Sequence, residues 1–140
     1  MHYRARLTRE GRAFNVEFRD CPGCLTFGHS KAEALANARE ALEGWLEVHL
    51  AEADLIAPKP RARKGEPVEV NATLAIQLQL KWARLDHGLT QAALGKAAGL
   101  KRAQAATLEN PDASPSLEAV AAAAEALGLQ VTLKPLGLYR

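Results

Sequence analysis

The first part of the chain alternates between apolar and polar side chains. The apolar positions of this alternation are Tyr3, Ala5, Leu7, Phe14, Val16 and Phe18. Because successive side chains of a strand point to opposite faces, the pattern predicts an antiparallel hairpin with one buried face. A Pro22-Gly23 turn follows, and residues 25–28 are predicted to form a third strand.

After this strand the apolar period changes to three and four residues, which is typical of a helix. Ser30 and Glu33 stand in a capping-box pattern, in which each side chain satisfies a free N–H group of the first turn. The apolar stripe that follows consists of Leu35, Ala38, Leu42, Trp45 or Leu46, and His49. It predicts a helix of about six turns that covers one face of the sheet.

A segment rich in proline and charge, residues 57–70, separates this pattern from the next one. It lacks aliphatic periodicity, so it is predicted to be a linker that ends in a possible short fourth strand. Asn71 can cap a helix reaching about Asp86, and Ser116 can cap a further helix that Gly128 ends. The predicted segments are a first domain at 1–56, the linker at 57–70 and a second domain at 71–140.

The last apolar alternation lies near the C-terminal end of the chain. Leu129, Val131 and Leu133 alternate with polar residues and predict a strand after the last helix. A single exposed strand leaves its edge groups unpaired, and pairing across a two-fold axis satisfies them. We therefore predict that this strand forms a homodimer interface.

Residues 88–110 have the pattern of two short helices joined by a tight turn. Thr90 can cap the first helix, and Gly99 supplies the left-handed conformation that a sharp turn between helices requires. The second helix opens with Lys101 and Arg102, two cations that oppose the helix macrodipole. Their position is explained if DNA phosphates or base edges lie in front of them. The segment is therefore predicted to be a DNA-reading helix-turn-helix.

The same segment resembles the phage-repressor-like (Cro/XRE) family. The matching positions are Leu89, Thr90, Gln91, Leu94, Gly95, Gly99, Leu100, Leu108, Glu109 and Asn110. The departures are Lys101 in place of a serine cap, Ala105 in place of a larger aliphatic residue, and Pro111 in place of glycine. The resemblance implies DNA contacts from Thr90, Gln91, Lys96, Lys101, Arg102, Gln104 and Thr107. Arg102 and Gln104 suit guanine and adenine edges, whereas the two lysines suit phosphates.

The first 60 residues resemble the HicB-type antitoxins. The positions that match their turn and helix patterns are Phe18, Asp20, Pro22, Gly23, Cys24, Thr26, Gly28, Glu33-Ala34, Asn37-Ala38 and Glu40-Ala41, while Arg19 and Cys21 depart from them. The resemblance implies a partial ribonuclease-H-like fold that binds a small HicA-type ribonuclease toxin and is not itself a nuclease. Four acidic side chains are candidate contacts for a basic toxin, namely Asp20, Glu40, Glu43 and Glu47.

Composition and charge add further constraints. A chain of 140 residues allows one domain or two small ones. It has 18 basic and 16 acidic residues, and the excess of basic ones lies after residue 60, as nucleic-acid binding predicts. No run approaches the ~20 apolar residues that span a bilayer, and the start lacks the apolar core of a signal peptide. We therefore expect a cytoplasmic protein with reduced thiols and no membrane partner.

Cys21 and Cys24 are candidate metal ligands together with His29. Structural zinc normally requires four ligands, and no second pair of cysteines or histidines follows at a suitable spacing. The Pro22-Gly23 dipeptide between the thiols fits a turn, so we expect neither a metal nor a redox role here.

Carboxylates are few in the strand region, where only Glu10, Glu17 and Asp20 occur. A ribonuclease-H reaction needs several carboxylates converging on divalent metal. Asp20 is instead interpreted as an Asx-type residue that fixes the Pro22-Gly23 loop. We therefore expect no enzymatic activity and no cofactor.

The sequence as a whole predicts an α+β chain. Antiparallel strands and one long helix form the partial ribonuclease-H-like N-terminal domain, and an all-α helix-turn-helix domain ends in the dimerising strand. The favoured function is an antitoxin that neutralises a HicA-type toxin and represses its own operon by binding double-stranded operator DNA. Two alternatives stay open, a ligand-responsive regulator with a pocket lined by Phe14, Phe18 and Trp45, and a magnesium-dependent nuclease that requires Asp20.

Overall fold

Four strands and five helices form within residues 1–135, which this computed structural model describes. The strands are β1 (His2–Glu10), β2 (Ala13–Phe18), β3 (Leu25–Gly28) and β4 (Glu66–Glu69), and the helices are α1 (Lys31–Ala51), α2 (Ala72–Asp86), α3 (Gln91–Ala97), α4 (Arg102–Thr107) and α5 (Leu117–Ala126). The chain divides into two compact units, Met1–Ala75 and a second that begins at Ile76, so the boundary falls within α2. Residues 136–140, which end the predicted second domain, lie outside the described residues.

The strands form one antiparallel sheet in the order β3-β2-β1-β4. The predicted hairpin is confirmed, because Ala5 pairs with Phe18 and Leu7 pairs with Val16, which places the apolar positions of both strands on one face. The predicted fourth strand is also confirmed, but it begins at Glu66 and pairs with the first residues of β1. Part of the segment predicted as a linker therefore forms one edge of the sheet.

Helix α1 covers the apolar face of the sheet. Its buried residues are Ala34, Ala38, Leu42, Leu46 and Leu50. Ala38 and Leu42 of the predicted stripe are confirmed, and of the alternatives Trp45 and Leu46 it is Leu46 that is buried, while Leu35 and His49 are only half-buried. The reason is a close approach between α1 and β3, since a Cβ added to Gly28 would lie 2.4 Å from the backbone nitrogen of Ala34. The first turn of α1 therefore faces β3 with the small residue Ala34, and the neighbouring Leu35 lies at the edge of the contact.

The helix caps predicted for the first unit are present. Ser30 Oγ accepts a hydrogen bond from the N–H of Glu33 at 3.1 Å, and Glu33 Oε2 accepts one from the N–H of His29 at 3.3 Å. At the start of α2, Asn71 Oδ1 accepts a hydrogen bond from the N–H of Thr73 at 3.0 Å. These side chains satisfy amide groups that a helix leaves unbonded in its first turn.

Residues 57–65 form neither helix nor strand, yet a carboxylate binds them to the first unit. Asp20 Oδ2 accepts hydrogen bonds from the N–H of Arg61 at 2.8 Å and from the N–H of Ala62 at 2.9 Å. The interpretation of Asp20 as the residue that fixes the Pro22-Gly23 loop is therefore wrong. Asp20 and Arg61 are 41 residues apart in sequence, so a local turn pattern cannot predict this hydrogen bond.

Two contacts with β1 hold the same segment in place. The hydroxyl of Tyr3, which burial gives a raised pKa, donates a hydrogen bond to the carbonyl of Pro58 at 2.6 Å. The Arg4 guanidinium donates to the carbonyl of Gly65 at 3.0 Å. Gly65 has a φ of 115°, and a Cβ added there would lie 2.5 Å from the carbonyl oxygen of Ala5, so only glycine fits. Residues 57–65 are thus an ordered part of the first unit.

The second unit is helical and has its own apolar core. The buried core residues are Leu80, Leu94, Leu108, Ala119, Val120, Ala123, Ala124 and Leu127. The predicted cap of the last helix is confirmed, since Ser116 Oγ accepts a hydrogen bond from the N–H of Ala119 at 3.1 Å. Gly128, with a φ of 70°, ends that helix as predicted. No helix of the described residues is long and apolar enough to cross a membrane.

The strand predicted over Leu129, Val131 and Leu133 is absent from the described residues, because 129–135 have no regular secondary structure. A strand needs a hydrogen-bonded neighbour, and the sheet of the first unit ends at β3 and β4. The three apolar residues are exposed: Leu129 to 43%, Val131 to 45% and Leu133 to 98%. The segment therefore keeps an apolar surface that this single chain leaves uncovered.

Candidate nucleic-acid interface and partner surface

Helices α3 and α4 form a helix-turn-helix in the second unit. Thr90 Oγ1 accepts a hydrogen bond from the N–H of Ala93 at 3.0 Å, which confirms the predicted cap of α3. Gly99 has a φ of 68°, which confirms the predicted left-handed residue between the helices. The N–H of Leu100 then donates to the carbonyl of Gly95 at 2.9 Å, and this bond closes the turn.

The two helices approach each other at Gly95 and Ala105. A Cβ added to Gly95 would lie 2.8 Å from the Cβ of Ala105, closer than two carbon atoms can pack. This contact explains why the small residue Ala105 stands where the Cro/XRE pattern has a larger aliphatic one. Leu94 and Leu108 flank the contact and are buried at 1% and 3% exposure. The geometry of the pair therefore depends on two small side chains facing each other.

A buried ion pair connects α2 to the residues that follow α4. The Arg84 guanidinium donates to both carboxylate oxygens of Glu109, at 2.5 and 2.8 Å, and also to the carbonyl of Leu89 at 2.7 Å. Both charged residues are 7% exposed. Sequence analysis missed the pair, although Glu109 was among the positions matching the family pattern. Its partner lies 25 residues away, and no local signal marks Arg84.

Three cations flank the turn of the helix-turn-helix. Lys96, Lys101 and Arg102 are exposed, and none of them forms an ion pair with a described residue. Lys96 lies in the last turn of α3, where the helix dipole favours a cation, whereas Lys101 and Arg102 begin α4, where it disfavours one. An anion in front of α4 would remove this conflict. The arrangement can therefore bind phosphate groups or base edges at the start of α4.

The remaining predicted DNA contacts make hydrogen bonds within the protein. Gln104 Oε1 accepts a hydrogen bond from the N–H of Lys101 at 2.9 Å, which is the bond that the third helical residue makes back to the N-cap. Thr107 Oγ1 donates to the carbonyl of Gln104 at 2.6 Å. Gln91 is exposed, but its amide nitrogen lies 3.5 Å from Glu109 Oε1. Gln104, Thr107 and Gln91 thus have fewer free polar groups than the sequence pattern suggests.

The acidic candidates for partner binding fall into two groups. Glu40 and Glu47 are exposed on α1 and make no ion pair with a described residue. Glu43 Oε1 instead accepts hydrogen bonds from Arg39 Nε and from the N–H of Asn71, both at 3.1 Å. Asp20 likewise accepts hydrogen bonds from two backbone N–H groups. The structure therefore separates two free carboxylates from two that hold the fold together.

Glu40 lines a shallow groove of about 570 Å³ between β3 and α1. Leu25, which is 67% exposed, and Trp45 also line it. The indole of Trp45 stacks on the imidazole of His49 with 3.7 Å between ring centroids. An exposed leucine and a tryptophan beside a carboxylate are typical of a protein-binding surface.

Neither the groove beside Trp45 nor the larger cleft of the first unit brings together Phe14, Phe18 and Trp45, the predicted pocket residues. Trp45 lines the groove just described, but Phe14 and Phe18 line neither that groove nor the larger cleft of the same unit. Phe18 is 3% exposed and belongs to the core beneath α1. The three residues share aromatic chemistry, but the sequence does not give the register of the sheet. This register pairs Phe18 with Ala5 on the buried face.

Cys21 and Cys24 are buried free thiols in the turn before β3. The N–H of Cys24 donates to the carbonyl of Cys21 at 3.1 Å, as in a tight turn. Burial first, then the neighbouring Cys24 and Asp20, raise the pKa of Cys21 to about 12, and burial raises the pKa of Cys24 to about 11. Such thiols are protonated at neutral pH and react slowly. Among residues 1–135, no three His, Cys, Asp or Glu side chains are grouped to hold a metal ion.

Comparison with known proteins agrees with both halves of this description. The family model of the HicB-like antitoxin of bacterial toxin-antitoxin systems matches residues 4–88, and a helix-turn-helix model matches residues 80–133. Antitoxin HicB of Escherichia coli strain K12 is 32% identical over 121 residues, which is 86% of this chain and 88% of that protein. Antitoxin HicB 1 of Photorhabdus laumondii is 32% identical over 124 residues, 89% of this chain and 79% of that protein. Antitoxin HicB 2 of the same organism is 27% identical over 133 residues, 95% of each chain. This chain therefore belongs to the HicB-like antitoxin family and carries a helix-turn-helix domain in its C-terminal half.

Proposed function

We propose that this chain binds and neutralises a small HicA-type ribonuclease toxin through its first unit and represses its own operon through its second unit. The observation that carries the proposal is the joining of a HicB-like unit to a helix-turn-helix whose cations have no acidic partner among the described residues. Both activities belong in the cytoplasm, where the operon is transcribed. The first unit then acts as a partial ribonuclease-H-like scaffold without a catalytic role of its own.

In the DNA complex, α4 is the reading helix. Lys96 and Lys101 contact phosphates, and Arg102 is the strongest candidate for a base contact, because its guanidinium can donate two hydrogen bonds to guanine. A bidentate contact of Gln104 with adenine uses its amide oxygen, which already accepts one hydrogen bond from the N–H of Lys101. The second lone pair of this oxygen is the one left for a base, so the capping bond orients the Gln104 amide in the contact. Thr90, Gln91 and Thr107 contribute to the edge of the same surface.

A homodimer lets two copies of α4 read two half-sites about one helical turn apart. The exposed side chains of Leu129, Val131 and Leu133 support this proposal, since a second copy of the segment supplies the strand partner that the single chain lacks. Linkage requires that any effect of the toxin on operator affinity equals the effect of the operator on toxin affinity. The dimer therefore couples neutralisation to repression.

For the toxin we propose the groove between β3 and α1 as the contact surface. Glu40 and Glu47 attract a basic RNA-binding protein, and Leu25 and Trp45 supply apolar area at the centre of the contact. Asp20 and Glu43 remain candidate contacts, but their carboxylates already bind backbone amides. Their first effect on toxin binding is through the shape of the surface.

The test is co-expression of the full chain with the small reading frame adjacent to its gene, followed by affinity purification and a growth assay. We expect a stable complex and rescue of growth. The variant Glu40→Lys/Glu47→Lys should lose both, whereas the control Glu118→Lys/Glu125→Lys, with equal charge reversal on α5, should keep both. Absence of toxicity and of a complex with the unaltered chain would contradict the proposal. In that case a stand-alone transcriptional regulator is the better interpretation.

A further inference from the structure

The first unit has a second concave surface, which the proposed function does not use. It is a cleft of about 1240 Å³ lined by residues 61–66, by β1 and by the end of β2. The basic side chains that line it are Arg4, Arg6, Arg19, Arg61, Arg63 and Lys64. We call it the arginine cleft. Three of these residues belong to the segment that the sequence pattern marked only as a charged linker.

Each of the three acidic side chains that line the arginine cleft, Glu17, Asp20 and Glu66, has a partner within the protein. Asp20 accepts the two backbone amides described above, Glu66 pairs with the Lys31 ammonium at 2.9 Å, and Glu17 pairs with Arg6 at 3.6 Å. The four cations Arg19, Arg61, Arg63 and Lys64 are exposed and form no ion pair with a described residue. The cleft therefore has an excess of positive charge held on an ordered framework.

The type of cation indicates the ligand. Five of the six are arginines, whose planar guanidinium binds phosphate through two parallel hydrogen bonds and can also stack on a nucleobase. An acidic peptide fits less well, because only alternate side chains of an extended strand face the same side and could meet the cations. A nucleic acid strand carries a charge at every residue and so offers more groups to a cleft lined by six cations.

The shape of the cleft favours a single strand over a duplex. Its volume exceeds that of typical small-ligand sites, and its cationic groups line a concavity, whereas duplex readers insert a protruding element into a groove. Glu17 lies among the arginines with half of its side chain exposed. A carboxylate repels phosphates but accepts a hydrogen bond from a ribose 2′-hydroxyl, which DNA lacks. We infer that the arginine cleft binds single-stranded RNA through its phosphates and 2′-hydroxyl groups.

The inference is tested by fluorescence anisotropy of a short fluorescein-labelled oligouridylate with the full-length protein. The variant Arg61→Gln/Arg63→Gln removes two cations and keeps the backbone N–H groups that donate hydrogen bonds to Asp20. We expect affinity to fall by about tenfold and the slope of log affinity against log salt to decrease by about 1.4, the value for two lost phosphate contacts. The matched control Arg9→Gln/Arg12→Gln removes two cations from the hairpin end outside the cleft and should bind within about twofold of the unaltered protein.

Two further arms make the assay specific. A labelled oligodeoxyuridylate of equal length should bind more weakly than the RNA, and Lys101→Gln/Arg102→Gln, which alters the second unit, should reduce RNA affinity less than Arg61→Gln/Arg63→Gln does. Equal losses for the cleft variant and its control would overturn the inference, as would equal affinity for both probes. Loss of RNA binding in the Lys101→Gln/Arg102→Gln variant alone would also overturn it. The assay contains no toxin and no operator, so its result is independent of the function proposed above.

Discussion

The guanidinium of Arg84 and the carboxylate of Glu109 form a two-fold hydrogen-bonded ion pair inside the second unit, with each residue 7% exposed. A third hydrogen bond joins Arg84 to the carbonyl of Leu89, just before the cap of α3. Removing two charges from water is costly, and the cost is offset only when the remaining donors and acceptors are satisfied. Here one side chain connects α2 with the segments before α3 and after α4. The ion pair therefore fixes the positions of the segments on either side of the helix-turn-helix.

Removal of one member of this pair is expected to destabilise the second unit strongly. Arg84→Ala leaves a buried carboxylate without its partner, and the free energy of unfolding should fall by about 3–5 kcal/mol. Urea unfolding monitored by Trp82 fluorescence in a Trp45→Phe background measures this unit. The double variant Arg84→Met/Glu109→Leu removes both charges and should lose clearly less stability. Equal losses for the single and double variants would show that the uncompensated charge is not the cause.

A second prediction concerns the contact between α3 and α4. Gly95→Ala places a methyl group 2.8 Å from the Cβ of Ala105, so the helices are forced apart and stability should fall by about 1–3 kcal/mol. The control is Gly44→Ala in the interior of α1, where a new Cβ meets nothing within 4 Å. That change should raise stability by about 0.5–1 kcal/mol, because alanine restricts the unfolded chain. Thermal unfolding by circular dichroism compares the two.

The same contact should affect operator binding. Displacement of α4 by the Gly95→Ala substitution moves Arg102 away from its proposed base contact, so operator affinity should fall at temperatures where the variant is folded. Gly44→Ala lies in the first unit and should leave operator affinity unchanged. Normal operator binding by folded Gly95→Ala protein would mean that the spacing of the two helices is not critical for DNA recognition.

Much of the fold could be predicted from sequence because its signals are local. Caps such as Thr90 and Ser116 act on amides two or three residues away, and Gly99 acts on its own φ angle. Contacts such as Asp20 with Arg61, or Arg84 with Glu109, join residues 41 and 25 positions apart. The period of apolar residues along a strand or helix does not predict such pairs. The arginine cleft was missed for the same reason, since its cations come from separate strands and from an irregular segment.

The Asp20 carboxylate provides a third prediction, which also separates structure from catalysis. Asp20→Ala removes the acceptor of two backbone amides and should cost about 2 kcal/mol, a value typical of bonds to a charged group. Hydrogen exchange should accelerate at Arg61 and Ala62 more than elsewhere in the first unit. Asp20→Asn keeps one acceptor oxygen and should show a smaller change. Loss of a magnesium-dependent nuclease activity in Asp20→Asn, without faster exchange, would instead support a catalytic role.

The apolar tail yields a fourth prediction, for the oligomeric state. Val131→Asp/Leu133→Asp places two charges in the proposed intermolecular strand pair, and multi-angle light scattering should then report a monomer. Leu117→Asp is the control, since Leu117 is 73% exposed at the start of α5 and lies outside the tail. It should leave the dimer mass unchanged. A monomeric mass for the unaltered protein would rule out the proposed dimer.

The buried thiols give a fifth prediction, which concerns pH. The pKa of Cys21 is about 12 and that of Cys24 about 11, both above the value of an unfolded thiol, so the folded state favours the protonated form. Their contribution to stability is complete below the unfolded pKa of about 8.5 and is lost as the pH rises toward the folded values. The urea midpoint should therefore fall at alkaline pH, and less so in the control Cys21→Ala/Cys24→Ala.

At about pH 8 iodoacetamide should label the native thiols far more slowly than the unfolded ones, because little thiolate is present in the folded protein. Equal labelling rates in native and urea-unfolded protein would show that the thiols are accessible and their pKa values ordinary.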